Sequence, residues 1–105
     1  MITTTTPTIE GRPIQQYLGI VSAESIIGAN IFKDLLAALH DLAGGRSKTY
    51  EKVIEEARAN AMNELIEKAQ SIGANAIVGI DLDFETVGAG SSMLMVLATG
   101  TAVRI

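Results

Sequence analysis

The sequence predicts an α+β domain in the order β-β-α-α-β-β, with an antiparallel sheet and both helices on one of its faces. Three observations carry that expectation. A long stretch beginning near Ser47 repeats apolar residues at helical spacing and stops at Gly73. Residues 76–87 then carry three carboxylates at alternating positions, Asp81, Asp83 and Glu85, the period of a half-exposed strand. Extended, β-branched or apolar stretches stand at both ends of the chain.

Taken in order, residues 2–6 (ITTTT) are β-branched and suit a short edge strand. Glu10-Gly11-Arg12-Pro13 is a turn, and residues 14–27 form a second strand bent or bulged at Gly19. Asn30 caps the next helix, whose apolar positions are Ile31, Phe32, Leu35, Leu36, Leu39, Leu42 and Ala43. Gly44-Gly45 ends it. The second helix starts at residues 47–49 and runs to residue 72, with Tyr50, Val53, Ile54, Ala57, Ala61, Leu65, Ala69 and Ile72 on one stripe. Glu64 and Lys68 form a favourably oriented i,i+4 pair on its other side. Residues 76–87 are the third strand, residues 88–92 (GAGSS) a hairpin loop, and residues 93–105 the fourth strand.

A chain of 105 residues makes one domain, 1–105. With 48% apolar residues, two Phe, two Tyr and no Trp, its core is aliphatic. The absence of cysteine excludes disulfides, thiolate zinc sites and thiol nucleophiles. A net charge of −4 with scattered basic residues argues against nucleic acid as a partner. Residues 1–7 (MITTTTP) have neither the basic nor the apolar region of a signal peptide, and no apolar run approaches the ~20 residues that span a bilayer. The expectation is a cytoplasmic protein without a membrane partner.

Two features point to self-association. At ~1.5 Å per residue the second helix is about 36 Å long, against a radius of gyration of ~13 Å for a compact domain of this size. The last strand is apolar on both faces, with Met93, Met95 and Leu97 on one and Leu94, Val96 and Ala98 on the other. Helices cover one face, and the other calls for another subunit.

The segments YLGIVSAESIIGANIFKDLLA, GGRSKTYEKVIEEARANAMNELIEKAQSIGANAIVGIDLDFE and MLMVLATGTAV, in that order, resemble the YbjQ-like family. This is a group of small bacterial and archaeal proteins that carries the label "putative heavy-metal-binding domain". The resemblance runs from Thr3 to Val103. It implies a dodecin-like subunit that assembles into a homo-oligomeric ring, a pentamer, and it implies little about activity. A chain with no cysteine and one histidine departs from a heavy-metal ligand set, since soft metals favour thiolate and imidazole.

Candidate sites are few. Asp81, Asp83 and Glu85 alternate along the third strand and share a face, a surface suited to a divalent metal such as Mg²⁺, Ca²⁺ or Mn²⁺. The plainer reading is a solvated strand face with Ile80, Leu82 and Phe84 buried behind it. His40 lies near the end of the first helix and lacks a second histidine one turn away, so it reads as a surface residue. Arg46 and Ser47 precede the long helix, with Tyr50 and Glu51 in its first turn, a combination that could bind an anion. Lys48-Thr49 lacks the glycine spacing of a phosphate-binding loop, and the segment follows a helix rather than a strand. The plainer reading there is a helix–helix turn with Arg46 paired to a carboxylate. No catalytic triad pattern is present. The expected function is therefore a ring-forming homo-oligomeric binding or scaffold protein without catalytic machinery. The alternatives are a divalent metal-ion binder on the acidic strand, and a small-molecule or enzymatic pocket between subunits near Arg46, Tyr50 and Glu51.

Overall fold

The computed structural model describes residues 1–40 and 48–105. Its elements are β1 (Ile2–Thr3), β2 (Gln16–Ile27), α1 (Ala29–His40), α2 (Lys48–Ser71), β3 (Ala76–Val87) and β4 (Met93–Arg104), with a 3₁₀ turn at Ala89–Ser91 before β4. The expected β-β-α-α-β-β order holds. The sheet runs β1-β3-β4-β2, with β4 antiparallel to both β2 and β3.

The sheet is mixed rather than antiparallel throughout. β1 is only two residues long and lies parallel to β3, pairing Ile2 with Ala76 and Thr3 with Ile77. Beyond it the threonines bond locally. The Thr6 amide donates to Thr4 Oγ1 at 3.1 Å, and Thr6 Oγ1 donates to the Thr8 carbonyl at 2.6 Å. Side-chain bonds of this kind compete with a regular ladder. The segment still closes part of the β3 edge, because Thr6 and Thr4 carbonyls accept from the amides of Gly79 and Ile80.

α2 packs mainly over β2 and β4. Its buried residues are Ala57, Ala61, Leu65 and Ala69, and the three alanines of this stripe let the helix seat against the sheet around Leu65. Beneath it the core face of β4 presents Leu94, Val96, Ala98, Gly100 and Ala102, all buried. Gly100 is required by space: a Cβ there would lie 2.7 Å from Ile77 Cγ2 and 3.3 Å from the Val78 carbonyl oxygen. Gly73 ends the helix as expected. It takes φ of 90° and donates to the Gln70 carbonyl, while the Ala74 amide reaches back to Ala69. Ile72 falls outside the helix and is exposed. α1 opens with the Phe32 amide bonded to the Gly28 carbonyl, so Asn30 sits in its first turn rather than capping it.

A smaller cluster lies on the opposite face of the sheet, where Ile9, Ile14 and Ile105 pack on Ala76, Val78 and Val103. Asn75 fastens this corner by exchanging two bonds with Ile105, at 2.8 and 3.0 Å. The rest of that face, toward the far ends of β2 and β3, has no second layer among the described residues.

The open sheet face as candidate functional site

The orientation of the acidic strand depends on one irregularity. Pairing between β3 and β4 jumps from Val78↔Thr101 to Asp81↔Thr99, so Gly79 and Ile80 together face Gly100. This is a β-bulge, and Gly79 supplies its left-handed residue at φ of 62°. Ile77 lies on the helix face. Without the extra residue the strict alternation of a strand would carry Asp81, Asp83 and Glu85 onto that face as well. The bulge puts them on the other face and returns Ile80 to the core.

On this open face the register sets three rows. Asp81, Thr99 and Ser22 lie side by side, then Asp83, Leu97 and Glu24, then Glu85, Met95 and Ile26. Ile20 stands beyond them opposite Thr101. The carboxylates are exposed, and Met93, Met95 and Leu97 are half-buried between the flanking strands. The Asp83 carboxyl is raised above its ordinary range, first by a hydrogen bond with Asp81, then by the charge of Asp81, slight desolvation and the charge of Glu85. No Lys or Arg occupies a β2, β3 or β4 position on this face to offset them.

The three acids predicted from the sequence are thus brought onto one surface. They do not form a metal centre in the single chain: among the described residues no group of three His, Cys, Asp or Glu side chains converges. The donor set also fails the test for a heavy metal, because carboxylates alone lack the thiolate or imidazole such ions prefer.

Phe84 departs from expectation. It lies on the helix face, yet it is 45% exposed, because α2 covers β2 and β4 and barely reaches β3. Beside it, Thr3, Thr4, Thr5, Met62, Ile80 and Leu82 line an apolar cavity of about 290 Å³. The sequence reading missed this cavity, and its one available signal was Met62 lying off the main helical stripe.

The second candidate region is partly described. Tyr50 and Glu51 line a cavity of about 390 Å³ with Ile54, Glu55 and Arg58, all on successive turns at the start of α2. Arg46 and Ser47 lie outside the described residues. His40 closes α1. Residues 88–92 form a tight turn in which Gly88, Gly90 and Ser91 all take positive φ. The Glu64–Lys68 pair is present at 3.6 Å, and Lys68 Nζ also donates to the Ser22 carbonyl on β2 at 2.8 Å. Among the described residues no helix is long and apolar enough to cross a membrane.

A family model described as "Putative heavy-metal-binding" matches residues 1–105. Among solved structures, this chain is similar to a protein of unknown function of the DUF74 family from Pediococcus pentosaceus. The match has a TM-score of 0.66 and 22% identity, and it covers 100% of this chain and 97% of that one. At that identity the likeness speaks for the fold alone.

Proposed function

Since the chain belongs to the YbjQ-like family across residues 1–105, we propose that it works as a non-catalytic homo-oligomeric binding or scaffold module, a dodecin-like subunit of a pentameric ring. One observation carries this reading. The open sheet face holds Ile26 at 54% exposure beside half-buried Met95, with Met93 and Leu97 next along β4, and Ile20 at 85% beyond the Ser22–Thr99 row. An apolar group such as Ile26, Met93, Met95 and Leu97, left open on a small domain, marks an interaction site. Native mass spectrometry on protein purified without added metal or chelator tests it. A five-chain species is the expected result, and a monomer at micromolar concentration overturns the reading.

A second reading, uptake of a hard divalent cation by the acidic row, is favoured by the crowding that raises the Asp83 carboxyl. A bound cation would relieve that repulsion, and oxygen-only donors suit Mg²⁺, Ca²⁺ or Mn²⁺. Calorimetric titration with each ion checks it. Binding that is lost in Asp81→Asn plus Asp83→Asn, with the subunit number unchanged, supports this reading; binding that persists removes these residues from it.

A further inference from the structure

Among the described residues the sheet has two bare edges, and they lie on opposite sides of the subunit. β2 is an edge strand along all 12 of its residues. Lys68 covers one of its outward carbonyls, that of Ser22, and leaves the amides. On the other side, the N-terminal segment covers β3 only as far as Ile80, which donates to the Thr4 carbonyl. From Asp81 to Val87 the outer edge of β3 carries no strand among the described residues.

The phase of each edge follows from those two bonds. Because Ser22 turns its carbonyl outward, so do its alternate neighbours Glu24 and Ile26; because Ile80 turns outward, so do Leu82, Phe84 and Thr86. The side chains of the first set lie on the open face and those of the second on the helix face. An antiparallel ladder between β2 and β3 would set outward residues directly opposite one another and so join the open face of one copy to the helix face of the next. In a parallel ladder a residue bonds to the two that flank its lateral neighbour, so Ser22 or Glu24 would bond to Leu82 and Phe84 around Asp83. Both faces then continue unbroken. β2 and β3 already run in the same direction, since each is antiparallel to β4. A simple rotation from copy to copy therefore brings them together in parallel.

Resting on the oligomeric reading above, we infer that the occupant of each edge is a second copy of this chain, the β2 edge of one subunit adding in parallel to the Asp81–Val87 edge of the next. The contact is head-to-tail, so repetition closes a ring when the rotation permits. Strand addition also brings a neighbour against Phe84, the apolar residue that α2 leaves uncovered. The surface of the lone chain agrees in scale. Its 6586 Å² exceeds by about 1,000 Å² the area of a compact monomer of this mass. One partner's share of a stable interface is ~800 Å², so the excess accounts for a little more than one of the two shares that a ring subunit presents.

Proline substitution at outward positions tests this with little harm to the subunit, because an edge proline removes only an N–H that faces solvent in the monomer. Ser22→Pro blocks the β2 edge and Phe84→Pro the β3 edge. Each variant alone is expected to be monomeric by native mass spectrometry, and an equal mixture is expected to form a two-chain species and nothing larger. An oligomeric Phe84→Pro beside a monomeric Ser22→Pro would show a symmetric β2–β2 contact and overturn the head-to-tail assignment. Both variants keeping the wild-type subunit number would overturn it too, while leaving the oligomeric reading in place. A monomeric wild type overturns both. Hydrogen exchange on the wild-type oligomer gives a readout independent of the variants' folding. Amides of Ser22, Glu24, Ile26, Leu82, Phe84 and Thr86 are expected to exchange about 100-fold or more slowly than open edge amides. Fast exchange at these amides in an intact oligomer rejects the pairing.

Discussion

Two residues set the character of the open face, and neither carries chemistry itself. Gly79 allows the bulge that turns the acids outward, and Gly100 leaves room for the bulged residues to pack back into the core. An added methyl at Gly100 meets both Ile77 and the backbone of Val78, which cannot simply rotate away. Gly100→Ala is accordingly expected to cost about 1–3 kcal/mol, read as a lower urea midpoint with an unchanged slope; an unshifted midpoint would show that the strands separate freely. Asp83 gives a second prediction at this scale. Its carboxyl is raised in the folded chain, so the folded state binds the proton more readily than the unfolded state does. Stability then falls as pH rises through the window from the ordinary aspartate value up to the raised one. Above that window the repulsion remains as a constant cost. Asp83→Asn should flatten this part of the pH–stability curve and leave the protein no less stable at neutral pH. A stability that rises with pH through the same window in wild type contradicts the assignment.

Among the elements, α2 was the most legible and β1 the least. The alanine stripe of α2 repeats at 3.6 residues, and packing against a sheet demands that period, so sequence and structure coincide at Ala57, Ala61, Leu65 and Ala69. The third strand was read correctly beyond Gly79 because residues 80–87 keep one phase, although the bulge that sets this phase left no clear mark in the sequence. Alternation tells which face a side chain takes, and not how far a helix extends over it. That is why Phe84 was assigned to the correct side yet expected to be buried. The threonine run carried no register information, since its side chains satisfy its own backbone and leave only two residues in the ladder. The acidic row was legible as a surface and silent as a site, because a ligand set is a matter of convergence rather than spacing. The close seating of α2 is testable through its small residues. Ala61 is fully buried at the helix–sheet contact, so Ala61→Leu should lift the helix at a cost of about 1–3 kcal/mol. Measured destabilisation below a few tenths of a kcal/mol would mean that the contact is looser than the burial indicates.

At the scale of the whole molecule, the lone chain has a radius of gyration of 16.6 Å, well beyond the ~13 Å of a compact domain of its length. Its sheet face mixes apolar residues with four carboxylates, Glu24, Asp81, Asp83 and Glu85. Parallel addition of β2 to β3 would bring Glu24 of one copy beside the acidic row of the next. No Lys or Arg stands at a β2, β3 or β4 position on that face, so the apolar contact forms against like-charge repulsion. The sign of the salt effect follows. Screening within a Debye length of ~10 Å at 0.1 M weakens repulsion between exposed carboxylates, while the apolar contribution is not diminished by salt. Raising sodium chloride from about 0.02 M to about 0.5 M should therefore lower the concentration at which the oligomer dissociates. Acidification toward the raised Asp83 value should act in the same direction. Glu24→Gln should remove part of the salt response without abolishing assembly, since it leaves both strand edges intact. Sedimentation velocity across a dilution series reads all three. An oligomer that dissociates more readily as salt rises would place attractive charge pairs at the contact, and the acidic face would then lie outside it.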